Sequence, residues 1–259
     1  FHYFLETDYI GQQTEQIALK NGVELVLDLQ GKTYEAVNTR IFHISGGSAL
    51  TVMDSGEKGT MRSAGTGGKS GVILFATGAT VKLMDGTLEA VKNETPVTTG
   101  GVLYLSSNSV FTMEGGTITG GLTSGDGGNI YADASSITIT EGVIENGVSG
   151  NRGGNILIGA NCDFTMSGGT VSGGQAAKQG GNIRLNYSST DVTVSGGTIM
   201  GDMTVYSAKS FTLSGSPKIL MGNSAGLILG DGIDASAGNA NLKLTLDGLN
   251  PDAEIYISA

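Results

Sequence analysis

Three stretches decide the fold: Gly127-Gly128-Asn129-Ile130, Gly153-Gly154-Asn155-Ile156 and Gly180-Gly181-Asn182-Ile183, at successive spacings of 26 and 27. Gly100-Gly101-Val102-Leu103 fits at a further 27 before them, and Gly71-Val72-Ile73 fits with a spacing of 30. Self-similarity at a fixed period marks a repeat architecture. A second ladder starts at Leu50, Val81, Phe111, Ile137, Phe164, Val192, Phe211 and Leu242, with members such as Phe111-Thr112-Met113 and Phe164-Thr165-Met166. A third follows a glycine: Thr117-Ile118-Thr119, Val143-Ile144-Glu145, Thr170-Val171-Ser172 and Thr198-Ile199-Met200. Each repeat therefore holds three short alternating strands between glycine-rich corners.

Alternative solenoids fit less well. Leucine-rich and ankyrin repeats need helical spacing, which these repeats lack. A propeller blade needs four strands and roughly 40–45 residues. Three strands within so short a period suit one coil of a parallel β-helix, in which each strand pairs with its equivalent about 4.8 Å along the axis. The expected fold is all-β: a single-stranded right-handed parallel β-helix, three strands per coil and about eight coils, the hand following from the general crossover rule. Phe111, Phe164 and Phe211, with Met113, Met166 and Leu213, are expected inside. Thr112, Thr138, Thr165, Thr193 and Thr212 are expected outside, with Lys82 and Lys243 interrupting that column. Each buried Phe or Met contributes ~1.5–3 kcal/mol, against the entropy of ordering so much glycine. Residues 1–22, with Phe1, Tyr3, Phe4, Leu5, Tyr9 and Ile10, stand outside the pattern and read as an N-terminal lead-in or cap. Residues 23–259 read as the β-helix domain, excised from a longer secreted protein.

Composition narrows the classes. The 259 residues include 44 Gly but only 3 Pro, with no Gly-x-y period, which excludes collagen. Residues AVILMFWYC make up 39%, enough to bury a core and to argue against disorder. No apolar run reaches the length of a membrane-spanning helix, so membrane insertion is not expected. The net charge of −10 leaves no cationic surface for nucleic acid. One cysteine, Cys162, and two histidines, His2 and His43, cannot make a disulfide or a structural zinc site, so neither a metal nor a cofactor is expected.

Val26-Leu27-Asp28-Leu29-Gln30-Gly31-Lys32-Thr33, then Leu50-Thr51-Val52-Met53-Asp54-Ser55-Gly56, resembles the opening of bacterial adhesin-like repeat proteins of the pectin-lyase-like β-helix superfamily. Phe164-Thr165-Met166-Ser167-Gly168-Gly169-Thr170-Val171-Ser172-Gly173-Gly174 resembles their commonest repeat. The resemblance covers about Val23 to Gly248. It implies a bacterial origin and a secreted or cell-surface location. It does not choose an activity, since related β-helices include polysaccharide lyases and glycoside hydrolases, and a fold alone selects neither.

The residues supply the site candidates. The outward column of the strand after Gly-Gly-Asn is expected to run His43, Leu74, Tyr104, Tyr131, Leu157, Arg184, Thr204, Ile228, with Asp133 beside it. Tyr104 and Tyr131, flanked by Leu74, Leu157 and Arg184, would form an exposed strip for a glycan or a host surface protein; the other reading has a corner loop or another domain covering it. Asp126, Arg152 and Gln179 share one corner position on consecutive coils, a variable loop edge suited to recognition. Asn129, Asn155 and Asn182 read either as ligand donors or as an amide ladder bonded to itself and to corner backbone. Thr165-x-Ser167 and Thr193-x-Ser195 invite an ice-binding reading, but simple β-propensity explains them. No acid pair is expected on adjacent coils of one strand, Asp231 and Asp234 lack a partner base, and Cys162 reads as an incidental thiol, so no catalytic residue is assigned. The expected function is a non-catalytic adhesin-like module; a polysaccharide-acting enzyme and a purely structural stalk are the alternatives.

Overall fold

The chain's structure, a computed structural model, describes residues 1–37, 39–63, 70–91, 96–222, 225–230 and 242–258. Among these residues every strand pairing is parallel and no helix occurs. The strands stack into a β-solenoid of about nine turns with three sheets. One sheet of 18 strands carries two strand series per turn, joined because Val110–Thr119 and Ser136–Glu145 each run on through the bend between them. A second sheet of ten strands carries the series after the Gly-Gly-Asn corner, and a third holds only Leu122–Thr123, Val148–Ser149 and Gln175–Ala176.

The ladder predicted from sequence holds its register: Leu50, Val81, Phe111, Ile137, Phe164, Val192 and Phe211 pair rung to rung. Phe111, Phe164 and Phe211 are buried, with Ile137 and Val192 between them. Aromatic rings thus alternate with β-branched side chains up the interior, which lets bulky and smaller groups interdigitate at core density. Two turns depart from the expected reading. The last rung is Leu244, not Leu242, and Thr245 rather than Lys243 continues the threonine column. The segment taken to stand outside the pattern forms a rung of its own: His2–Phe4, Tyr9–Gln13 and Ile17–Leu19 pair with the strands one turn on. That rung raises the count from eight coils to about nine.

The glycine corners have a steric cause. Gly127, Gly153 and Gly180 sit at φ of +66°, +65° and +68°, where a side chain would clash with its own backbone. Their neighbours Gly128 and Gly154 lie against the next corner: a Cβ on Gly154 would sit 2.1 Å from the Gly181 carbonyl oxygen. Behind them Asn129, Asn155 and Asn182 are buried and form the amide ladder. Asn129 Nδ2 donates to Asn155 Oδ1 and Asn155 Nδ2 to Asn182 Oδ1, each at 2.8 Å. The Oδ1 atoms also accept the backbone N–H of Gly121, Gly147 and Gly174. The Nδ2 atoms donate to the carbonyls of Glu145, Ser172 and Met200. These side chains do the bonding of corner backbone that regular strand pairing cannot reach.

Candidate functional site

The outward column of the ten-stranded sheet runs Ala18, His43, Phe75, Tyr104, Tyr131, Leu157, Arg184, Thr204, Ile228. Leu74 is therefore not in it. Leu74 pairs with Phe42 and Leu103 in the interior and is fully buried. Its neighbour Phe75 takes the outward place opposite Tyr104, because this turn is one residue shorter than the glycine match implied, and a slip of one exchanges the faces of a strand.

Four rings then follow one another along the axis. His43 meets Phe75 edge-on with centroids 5.1 Å apart; Phe75 and Tyr104 stack at 4.8 Å and 2°; Tyr104 and Tyr131 stack at 5.2 Å and 13°. Arg40 closes one end, its guanidinium 4.4 Å from the Phe75 centroid. Arg40 is held there by Nε to the Gly71 carbonyl at 2.9 Å and Nη1 to Gln16 Oε1 at 3.0 Å. Burial brings its pKa down to about 10. His43 is pushed below its ordinary value by burial and then by the charge of Arg40, so the imidazole is neutral at pH 7. Burial, followed by the Asp133 carboxylate, raises both phenols, so Tyr104 and Tyr131 remain neutral donors. Phe75 has one face stacked on Tyr104 with Arg40 over its ring, Tyr104 lies between Phe75 and Tyr131, and Tyr131 has one face stacked on Tyr104, so the stacking takes up most of the ring face a sugar would need.

Beyond Tyr131 the column closes over. Leu157 is 1% exposed and Arg184 3%, although both point away from the core. Arg184 Nε donates to Asn186 Oδ1 at 2.7 Å and its guanidinium lies 5.1 Å from the Tyr206 centroid. Arg152, Arg184, Asn186, Tyr187 and Tyr206 line a hollow of 260 Å³. Of the expected strip, Tyr104 and Tyr131 reach the surface in part, while Leu157 and Arg184 are buried. Phe75, Arg40 and Tyr206 complete the arrangement and were not singled out from sequence. An offset of 29 back from Tyr104 finds Phe75; nothing in the repeat marks Arg40 or Tyr206.

Asp133 lies beside the tyrosines, but its Oδ1 accepts the Ala160 N–H at 3.1 Å, a corner-bracing role. Asp126, Arg152 and Gln179 do share one corner: Gly100, Gly127 and Gly153 donate their N–H groups to the three carbonyls in turn. Asp126 Oδ1 accepts from Asn151 Nδ2 at 2.7 Å and from the Arg152 N–H at 3.1 Å. Cys162 is buried and its thiol is raised to about 11 by burial, which makes it a poor nucleophile.

Two acid pairs do lie on adjacent turns, contrary to expectation: Glu114 opposite Glu141, and Asp163 opposite Asp191. A register shift after Met113 creates the first. Lys82 engages Glu114 at 2.8 Å, and Lys209 engages Asp191 at 2.7 Å. Hydrogen bonds from Lys209 and Ser210 hold the Asp191 carboxyl below its ordinary value, opposite to what a general acid needs. Asp231 and Asp234 lie outside the described residues. No group of three or more His, Cys, Asp or Glu positioned for a metal occurs among the described residues. Compared with protein-family models, curated proteins and solved structures, the chain finds no match.

Proposed function

We propose that this chain is a non-catalytic recognition module of a secreted or surface-attached bacterial protein, adhesin-like and akin to the pectin-lyase-like β-helices. It binds a protein partner through the half-exposed row of Phe75, Tyr104 and Tyr131. The observation that carries the reading is the ring row itself, rigidly stacked across three turns and presenting two neutral phenol hydroxyls on an otherwise regular wall. Preorganised tyrosines lose little entropy on binding and are common interface anchors. A protein partner is preferred to a glycan because the ring faces are already occupied by one another.

One observation favours a second reading, a structural rod: the stacking also satisfies the rings internally. Two double variants separate the readings. Tyr104→Phe with Tyr131→Phe keeps the stack and removes the hydroxyls; Tyr104→Ala with Tyr131→Ala removes both. With purified host surface proteins immobilised and binding read by surface plasmon resonance, recognition predicts a loss of about tenfold or more for the alanine pair. Unchanged binding by the alanine pair, with lowered thermal stability, refutes recognition through the row and supports the rod. A glycan array run beside it, positive only for the wild type, refutes the protein preference.

A further inference from the structure

The three-stranded sheet ends abruptly. Its strands Leu122–Thr123, Val148–Ser149 and Gln175–Ala176 pair in order, one per turn. The next turn is short. Ile183 pairs with Met203 at an offset of 20, whereas Ile156 pairs with Ile183 at an offset of 27. A corner's worth of chain is absent, and with it the fourth strand. What remains is a groove of 450 Å³ lined by Ser172–Ala176, Gly181, Asn182, Met200–Asp202 and Gly222.

Two sets of observations show that the groove is one missing rung. Gly128 and Gly154 are buried, whereas Gly181 is part-exposed. A Cβ on Gly128 or Gly154 would strike the next corner at 2.0 or 2.1 Å, while one on Gly181 meets nothing closer than 3.2 Å. Hydrogen bonding agrees. Val148 N and Gly150 N donate to Gly121 O and Thr123 O, and Gln175 N and Ala177 N donate to Gly147 O and Ser149 O. One rung further, Gly174 O and Ala176 O accept nothing among the described residues, and by the alternation of a parallel ladder the Ala176 N–H faces the same way.

We propose that this groove takes an extended peptide segment of a partner protein, which adds the fourth strand to the sheet by β-augmentation. Continuity of the ladder sets the occupant's chemistry. The rungs already present read Gly121-Leu122-Thr123, Gly147-Val148-Ser149 and Gly174-Gln175-Ala176, so the incoming strand carries Gly-x-(Thr, Ser or Ala), with the glycine and the small residue turned inward. The chain's net charge of −10 favours basic flanking residues in the partner. Gln175–Ala176, the last rung of the sheet, lines the groove along its unpaired edge, so an extended strand is the occupant that continues the ladder. The proposal is independent of the aromatic row, which lies on a different sheet.

The test uses a capped peptide, Lys-Asn-Gly-Val-Ser-Gly-Lys, titrated into the ¹⁵N-labelled chain. Saturable shifts are expected at the amides of Gly174, Ala176 and Gly181, with affinity falling at least tenfold when the peptide glycine is replaced by valine. Ala176→Pro removes the donor that faces the groove without removing a bond of the existing ladder, and is expected to weaken binding about fivefold. Should Ala176→Pro disturb folding, grafting the corner Gly147 to Gly153 between Gly201 and Asp202 fills the groove from within and is expected to abolish binding. The proposal is overturned by the absence of saturable shifts at these amides. It is overturned equally by undiminished binding in the grafted variant, or by a wild-type dimer that the graft dissolves, which makes a second copy the occupant.

Discussion

Asn155→Ala tests the amide ladder at its centre. Asn155 is fully buried and makes four side-chain hydrogen bonds: from Asn129 Nδ2, from Gly147 N–H, to Ser172 O and to Asn182 Oδ1. After truncation three of the four partners retain another bond. Asn129 Nδ2 keeps Glu145 O, Asn182 Oδ1 keeps the Gly174 N–H, and Ser172 O keeps the Asn146 N–H. The Gly147 N–H is left with none. An orphaned buried donor costs ~1–3 kcal/mol and each of the three exchanged bonds ~1 kcal/mol, so the substitution is expected to cost about 4–6 kcal/mol. Asn182→Ala is expected to cost about 1–2 kcal/mol, because Gly174, which loses its acceptor, borders the open groove and water can replace it. Asn155→Asp adds a pH signature. Its second oxygen would face the Ser172 and Asn182 acceptors, which raises the folded carboxyl above its unfolded value. Stability is then retained below about pH 4 and lost as the pH rises through the folded pKa, the reverse of a salt-bridged aspartate. The chain has no tryptophan, so unfolding is followed by far-ultraviolet circular dichroism in guanidinium. Solenoids open locally, so hydrogen exchange at the Gly147 amide gives the site-specific value. A loss under about 1 kcal/mol for Asn155→Ala, with Gly147 exchange unchanged, would refute the ladder as a stabilising device.

Three further outcomes are expected. Phe164→Ala removes a buried ring between Ile137 and Val192 and costs about 3–5 kcal/mol by denaturant unfolding. Gly154→Ala, whose Cβ would meet the Gly181 carbonyl oxygen at 2.1 Å, lowers the melting temperature sharply, whereas Gly181→Ala, whose Cβ would make a tight 3.2 Å contact with the Gly174 carbonyl oxygen, lowers it far less; equal effects would deny the missing rung. Alkaline stability should fall early. Burial holds the Cys162 thiol at about 11 against an ordinary 9.0, so this contribution is intact below about pH 9 and drains as the pH climbs to 11, about 2–3 kcal/mol in all. Tyr34, raised to about 12 by burial, extends the decline upward. Cys162→Ala should remove the lower part of the decline, as read by thermal melts between about pH 8 and 11.

The walls and the Gly-Gly-Asn corner were legible in the residues; the lengths of individual turns were not. Phe111, Ile137 and Phe164 could be aligned because the interior demands large apolar groups at every second position of each strand, and that demand recurs each turn. Matching Gly71-Val72 to Gly101-Val102 was the error that displaced Leu74. Hydrogen bonds from Gly71 to Gly100 and from Val72 to Gly101 set the true register, and so Phe75 faces out. A slip of two, as at Leu242 against Leu244, left the inward reading intact because the strand period is two. Residues 2–19 pair through backbone and carry no glycine corner, so no repeat signal announced them. The Glu114–Glu141 pair depends on a bulge, which shifts the pairing offset by one within a single strand. Arg184 packs with Asn186, Tyr187 and Tyr206, on turns that follow no repeat.

The same division explains where recognition can reside. A wall is over-determined: its backbone is paired above and below, its inner side chains are packed, and its outer threonines repeat without distinction. Individuality enters where the period breaks. The turn from Phe75 to Tyr104 brings one ring under the other and starts the ring row. The short turn from Ile183 to Met203 both terminates the asparagine ladder, whose last amide keeps its bond to Met200 O but has no next asparagine at its side, and strips the cover from Gln175–Ala176. Both features rest on paired strands of the ten-stranded sheet, so the groove can keep its shape without a ligand, and its acceptors are held at strand spacing before any partner arrives. Such preorganisation lowers the entropy lost on docking. In this solenoid, changes of turn length are therefore the sites where a rigid, repetitive wall acquires a specific surface.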